Sequence, residues 1–227
     1  MLLKTKKLMK AFGGLKAINK VDFELPANEI RGIIGPNGSG KSTFFNLVSG
    51  VYNPDPGSFI EFDGKDITNE PPHKVGELGL ARTFQLLRLY QDMSVINNVM
   101  SGYHTLVPYS FIDAVTGRKK IWDQEKVIKE EMMELLSFVG LADYAELNAS
   151  ELSGGQRRLL VLARAIAGKP KLLMLDEPAA GLSPVNVDNL MKILLQLKEK
   201  YGLTLIIIEH ILKVVMSTCN KVTVLDH

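Results

Sequence analysis

Gly35-Pro36-Asn37-Gly38-Ser39-Gly40-Lys41-Ser42 is the stretch that decides the fold. It matches G-x-x-x-x-G-K-[ST] at every fixed position. Glycines in such a loop let backbone N–H groups approach phosphate oxygens without a Cβ in the way. Ile30 to Ile34, just before it, is an apolar run of strand length. Thr43 to Ser49, just after it, reads as a helix stopped by Gly50. That helix aims its positive end at the same anion. Lys41 is a point charge suited to β- and γ-phosphates, and Ser42 offers a hydroxyl to Mg²⁺. The other reading is a chance glycine-rich turn, and the strand before and helix after argue against it.

Working outward, Leu2 to Leu8 and Val21 to Leu25 read as strands, with Gly13-Gly14 as a turn between them. Phe59 to Phe62, closed by Asp63-Gly64, reads as a hairpin arm. Leu172 to Leu175 and Leu203 to Ile208 are apolar throughout, as expected for parallel strands covered on both faces. Pro184 to Tyr201 is the helix between them, and Gly154 to Ala167 is a helix before them. This alternation predicts an α/β sheet with crossovers. The texture differs over residues 86–150. Val95 to Tyr103 reads as a helix, and Tyr109 to Lys120 leaves helix and loop open. From Trp122 the apolar positions Val127, Met132, Leu135, Leu136 and Val139 recur at helical spacing up to Gly140. The expected organisation is one domain, with residues 1–85 and 151–227 forming the α/β core and 86–150 a mostly helical insert.

The 227 residues are 46% hydrophobic and 23% charged, an ordinary globular composition. A net charge of +2 argues against a dedicated nucleic-acid binder. The short basic run Lys4, Lys6, Lys7 and Lys10 reads as a solvated strand edge rather than a phosphate-binding arm. Cys219 is the only cysteine and cannot close an internal disulfide, which suits a reducing compartment. No signal-peptide pattern and no apolar run of membrane-spanning length is visible. The expectation is a soluble intracellular protein whose membrane role, if any, comes through a partner.

Two further clusters carry chemistry. Leu172 to Leu175 runs straight into Asp176-Glu177. A carboxylate at the C-terminal end of a parallel strand points into the crevice where ligands bind. Asp176 fits a Mg²⁺-organising role and Glu177 a base that polarises an attacking water. Two solvated acids at a strand end are the alternative. In Leu152-Ser153-Gly154-Gly155-Gln156, Ser153 reads as an N-cap, and the two glycines expose backbone donors at a helix start. Taken alone, this is an ordinary capped helix.

The order of these elements resembles that of the ABC ATPase family: phosphate loop, Gln85, Leu-Ser-Gly-Gly-Gln, Asp-Glu, then His210. The resemblance covers essentially the whole chain. It implies a RecA-like P-loop NTPase core with an N-terminal antiparallel β subdomain and an inserted helical subdomain. It also implies ATP and Mg²⁺ as ligands. Two subunits would meet head to tail, with Ser153, Gly154, Gly155 and Gln156 of one closing over ATP held by the other. On the near side, ATP would rest on Gly35, Pro36, Asn37, Gly38, Ser39, Gly40, Lys41, Ser42 and Thr43. Gln85, in Thr83-Phe84-Gln85, matches the Q-loop glutamine that touches Mg²⁺ and the attacking water and senses the membrane partner. The metal set would be Ser42, Gln85 and Asp176, and the catalytic set Glu177, His210, Gln85 and Lys41. His210 matches the switch histidine; taken alone, it reads equally as a structural histidine. Phe12 matches the aromatic that stacks on adenine, where Tyr is commoner; a core Phe is the other reading.

Ala81-Arg82-Thr83-Phe84-Gln85 and Asp92-Met93-Ser94-Val95-Ile96-Asn97-Asn98-Val99 are similar to the LivG-type ATPase subunits of branched-chain amino-acid uptake systems. By that likeness the partners are a second ATPase subunit, integral membrane permease subunits and, indirectly, a solute-binding protein. The chain would sit in the cytoplasm, peripheral on the inner face of the cell membrane. Urea or amides are alternative solutes, and a soluble ABC ATPase is the alternative class. Ser183 departs from the Asp that most ABC proteins carry there.

Overall fold

The computed structural model describes residues 1–83, 89–103 and 119–226, the side chains of 119–125 excepted. The chain divides into two compact units, Met1–Gln85 with Pro170–His227, and Leu86–Lys169.

In the first unit, β1 (Leu3–Phe12) and β2 (Leu15–Leu25) form a hairpin through Gly13-Gly14, with Leu3 opposite Leu25 and Phe12 opposite Leu15. Both strands run longer than the sequence pattern suggests, because bulges interrupt the alternation. At one of them Lys7 has a φ of 47°, and its N–H goes to the Asp22 carboxylate at 2.6 Å. Between β2 and β4 lie β3 (Ile30–Ile34) and α1 (Lys41–Val48). β4 (Phe59–Phe62) pairs with β1 on its other side, and β5 (Lys65–Asp66) completes an antiparallel sheet of order β2-β1-β4-β5.

A second sheet is parallel throughout. It takes in β6 (Leu80–Thr83), β7 (Leu172–Asp176), β8 (Thr204–Ile208) and β9 (Lys221–Val224), in the order β6-β7-β8-β3-β9. Leu172, Leu173, Met174, Leu205, Ile206 and Ile207 are all fully buried, which is why these strands read as unbroken apolar runs. The crossovers are α1, α2 (Pro72–Glu77), a long helix over Pro184–Tyr201 and a short one over Leu212–Thr218. Ile33 is in register with Ile208, and Ile208 with Asp176. The C-terminal ends of three adjacent strands are therefore level. This places the loop after Ile34, the carboxylates after Leu175 and the histidine after β8 on one edge, where open α/β sheets bind ligands. The short elements α2, β6, β9 and Leu212–Thr218 had no sequence signal. The parallel P-loop core and the N-terminal antiparallel subdomain are both present.

The second unit is helical: α3 (Val95–Tyr103), α4 (Lys119–Phe138) and α5 (Gly154–Ala167). The helix over Pro184–Tyr201 is then α6, and that over Leu212–Thr218 is α7. Tyr109 to Lys120, where the sequence left helix and loop open, falls outside the described residues up to 118. The unit continues to Lys169, past the expected limit at Ser150. The reason is that α5 packs against α3 and α4 and shares their core. Val95, Ile96, Val99, Leu135, Leu136 and Leu160 are buried. Among the described residues, no helix is long and apolar enough to cross a membrane.

In this unit a Cβ at Gly102 would stand 2.1 Å from the Arg164 carbonyl oxygen. Gly102→Ala is therefore expected to lower the unfolding free energy by about 1–3 kcal/mol through overpacking. Gly76→Ala in α2 meets nothing within 4 Å and should be neutral or slightly stabilising, by up to ~1 kcal/mol. Urea unfolding of the two variants checks the contrast.

Candidate nucleotide site

The phosphate loop is built around the position of its own lysine. Lys41 begins α1 and is only 7% exposed. Its Nζ donates to the Gly35 carbonyl at 2.7 Å and the Pro36 carbonyl at 2.8 Å. Gly40 caps α1 with a φ of 92°, and a Cβ there would fall 2.3 Å from the Ala17 carbonyl oxygen. Only glycine fits this junction. No side chain caps the helix, and its first intrahelical bond runs from the Phe44 N–H to the Gly40 carbonyl. The N–H groups of its first turn therefore remain available to an anion. The Ser39 hydroxyl is buried with no hydrogen-bond partner among the described residues. A cradle of free backbone donors, an ammonium and an unsatisfied buried hydroxyl fits a polyphosphate. Ser42 at the loop's end is exposed, and Thr43 is half-buried.

Asp176 ends β7. Its side chain is 9% exposed, and its Oδ2 accepts from Arg82 Nη2 at 3.2 Å. Arg82, on the adjacent β6, is 8% exposed. Its Nη1 donates to Asn46 Oδ1 at 2.6 Å and to the Ser49 hydroxyl at 3.3 Å, and its guanidinium lies 5.4 Å from the Phe45 ring centroid. Burial pushes the Asp176 carboxyl above its ordinary range, and the Arg82 charge pulls it back. Burial lowers Arg82 in turn, against the opposing pull of Asp176. Sequence reasoning missed Arg82 as a member of this site. An arginine three residues before Gln85 was the available signal. The oxygen donors of Asp176 and Ser42 suit a hard cation such as Mg²⁺.

Glu177 adopts a φ of 49°, a left-handed backbone that is unfavourable for a residue with a side chain. Its N–H donates to the Ile208 carbonyl at 3.0 Å, and its Oε1 lies 2.9 Å from His210 Nε2. With the carboxylate ionised, the proton of that bond sits on Nε2. Two residues 33 apart in sequence thus form one acid–base pair, and the reading of Glu177 as simply a solvated acid does not describe it. The buried Glu209 beside His210 was also missed; no local pattern marks it.

Phe12, at the end of β1, is 44% exposed, so it is not a core residue. It stands edge-to-face with Tyr52 at a centroid distance of 5.5 Å, with Lys10 Nζ 5.7 Å from its ring. An exposed ring of this kind offers a face to a planar ligand. Gln85 lies outside the described residues.

In the second unit, Ser153 caps α5. Its Oγ accepts from the Gln156 N–H at 3.3 Å, and Gln156 Oε1 accepts from the Ser153 N–H at 2.8 Å. This reciprocal capping box matches the cap read from sequence and adds the Gln156 half. A Cβ at Gly154 would meet nothing within 4 Å. Internal packing therefore does not require that glycine.

A parallel sheet with a phosphate loop after one strand and a carboxylate pair after another defines a P-loop nucleoside triphosphatase. The chain belongs to the ABC transporter family, whose sequence model matches residues 18–180, and it is an ATP-binding, ATP-hydrolysing transporter subunit. It is 40% identical over 228 residues to a probable branched-chain amino acid transport ATP-binding protein, LivG, of Archaeoglobus fulgidus; the match covers 99% of this chain and 85% of that protein. It is 35% identical over 225 residues to the high-affinity branched-chain amino acid transport ATP-binding protein BraF of Pseudomonas aeruginosa, covering 99% and 88%. Among solved structures it is similar to an ATP-binding cassette of an ABC transporter in its ADP conformation. That similarity has a TM-score of 0.84 at 34% identity, over 99% of this chain and 87% of the other.

Arg82→Met would leave the Asp176 carboxylate buried without this guanidinium. The expected loss is about 3–5 kcal/mol of unfolding free energy. Adding Asp176→Asn should recover part of it, since the two residues are directly coupled. Urea unfolding of the wild type, both single variants and the double variant measures the coupling.

Proposed function

We propose that this chain powers a branched-chain amino-acid uptake transporter, hydrolysing Mg²⁺-ATP between two such subunits docked on a membrane permease. The observation that carries the hydrolytic part is the Glu177–His210 contact between the loops after β7 and β8, β8 being the neighbour of the strand that leads into the phosphate loop. The names of the relatives support the solute class.

On this reading Gly35, Pro36, Asn37, Gly38, Ser39, Gly40 and Thr43 wrap the phosphates with backbone and hydroxyl donors. Lys41 exchanges its two loop carbonyls for β- and γ-phosphate oxygens. Ser42, Asp176 and Gln85 hold the metal. Bound Mg²⁺ supplies positive charge to the phosphate oxygens and fixes their geometry. Glu177 orients the attacking water and takes its proton, and His210 holds the Glu177 carboxylate and reaches toward the γ-phosphate. Phe12 stacks on the adenine. Ser153, Gly154, Gly155 and Gln156 serve the ATP of the opposing subunit, through the first turn of α5. The chain then works at the cytoplasmic face of the cell membrane, attached through the permease, with a solute-binding protein upstream.

Lys41→Ala should weaken ATP binding by about 10–100-fold, since hydrogen bonds to charged groups are worth about 1.5–3 kcal/mol. Equilibrium binding of a fluorescent ATP analogue reads this directly, and wild-type affinity would remove Lys41 from the site. Glu177→Gln keeps shape and hydrogen bonding but removes the basic oxygen. Hydrolysis should drop by about 10²–10⁴-fold while ATP binding survives. The unhydrolysed nucleotide should also shift the variant toward a dimer on a sizing column with ATP, and less so with ADP. Retained wild-type turnover in Glu177→Gln would sink the assignment of the base.

A further inference from the structure

Glu209 follows β8 and is 2% exposed, yet no step of hydrolysis uses it. Its two carboxylate oxygens are both engaged. Oε1 accepts from the Ala179 N–H at 2.7 Å, and Oε2 from the His210 N–H at 3.2 Å. The nearby Ile211 N–H also favours the charged carboxylate. Burial raises its proton affinity, and these N–H groups oppose that by favouring the charged form.

The position of those donors is what matters. Ala179 lies two residues after Glu177, in a turn closed by the Ala180 N–H to the Glu177 carbonyl at 3.1 Å. His210 and Ile211 lie on the neighbouring loop. The Glu209 carboxylate therefore bridges the turn after the proposed base and the loop of the histidine that contacts it. A backbone bond does similar work, from the Glu177 N–H to the Ile208 carbonyl. Glu177 itself sits in a left-handed backbone, a conformation that persists only where its surroundings over-determine it.

We propose that Glu209 is a positioning residue for ATP hydrolysis: its carboxylate fastens the turn after Glu177 to the loop of His210 and so fixes the Glu177–His210 pair. An acceptor-only carboxylate suits this position, because every neighbour named above is a donor. A glutamine would keep one acceptor and set an NH₂ group against an N–H. An alanine would leave the Ala179 N–H without its partner. The inference rests on the roles given to Glu177 and His210 above.

The test uses the full chain carrying Glu209→Gln or Glu209→Ala, each alone and combined with His210→Ala, with Glu177→Gln alongside. Single-turnover hydrolysis at saturating Mg²⁺-ATP, ATP affinity and thermal midpoint are measured. Misplacing a catalytic group by about 1 Å costs roughly 100-fold, so Glu209→Ala should lose about 10–100-fold in rate, with Glu209→Gln between it and wild type. ATP affinity should stay at the wild-type value. In the His210→Ala background the Glu209 substitutions should add little, because the pair they position is already gone. Three results overturn the proposal: wild-type turnover in Glu209→Gln, an equal fold-loss with and without His210, or a loss confined to ATP affinity. Glu177→Gln keeps the two readings apart. If it retains turnover, the assignment of the base fails; if it is dead while Glu209→Gln is normal, only the positioning role fails.

Discussion

The in-register parallel pairing of β3, β8 and β7 governs everything at the nucleotide end of the molecule. Ile33, Ile208 and Asp176 are level across three strands. The residues that follow each strand therefore leave the sheet side by side. That is how His210 reaches Glu177 although 33 residues separate them, and why the loop after Ile34 opens on the same edge. A slip of one residue in any of these pairings would send alternate side chains to the opposite face. A slip between β7 and β8 would also cost the Glu177 N–H its Ile208 carbonyl, and one between β6 and β7 would part Asp176 from Arg82.

The charges gathered at this edge are held rather than left to solvent. The Lys41 ammonium rests on two loop carbonyls. The Arg82 guanidinium is shared among Asp176, Asn46 and Ser49. The Glu209 carboxylate is wrapped by main-chain N–H groups. A buried ion pair stabilises little compared with a well-packed apolar pair. Its contribution here is geometric: fixed charges and dipoles need no reorganisation when charge develops on a substrate. The Lys41 contacts are the ones most readily exchanged, because phosphate oxygens and backbone carbonyls are both acceptors.

What was legible in the sequence was local. The phosphate loop, Asp176-Glu177 and the Ser153 cap each occupy a few consecutive residues, so their chemistry is written in one place. The buried strands were equally plain, because full burial on both faces makes every residue apolar. Arg82 was not legible as a site residue. Its meaning depends on β6 lying beside β7, which brings it to Asp176 across 94 positions. Glu209 was hidden for the same reason: its partner at Ala179 sits on another strand's loop. Which unit the helix over Gly154 to Ala167 packs with is not written in its sequence, because it reads as the same amphipathic helix either way. Short elements such as β9, four residues with none buried, offer too few positions for a period to emerge.

Ser183 shows how a departure from the family pattern is absorbed. Its hydroxyl accepts from the Asn186 N–H at 3.4 Å, and Pro184 follows at the first helical position. Asp and Ser cap helices about equally well, so the start of α6 does not discriminate between them. Charge and reach do differ, and both are smaller here. The segment from Glu177 to Leu182 is held by the Ala180 and Leu182 N–H bonds within the turn and by the Glu209 carboxylate on Ala179. If two chains pair as proposed, the main-chain groups of this segment take their placement in part from a buried glutamate on the neighbouring strand's loop, an anchor that the change from Asp to Ser at the cap leaves in place.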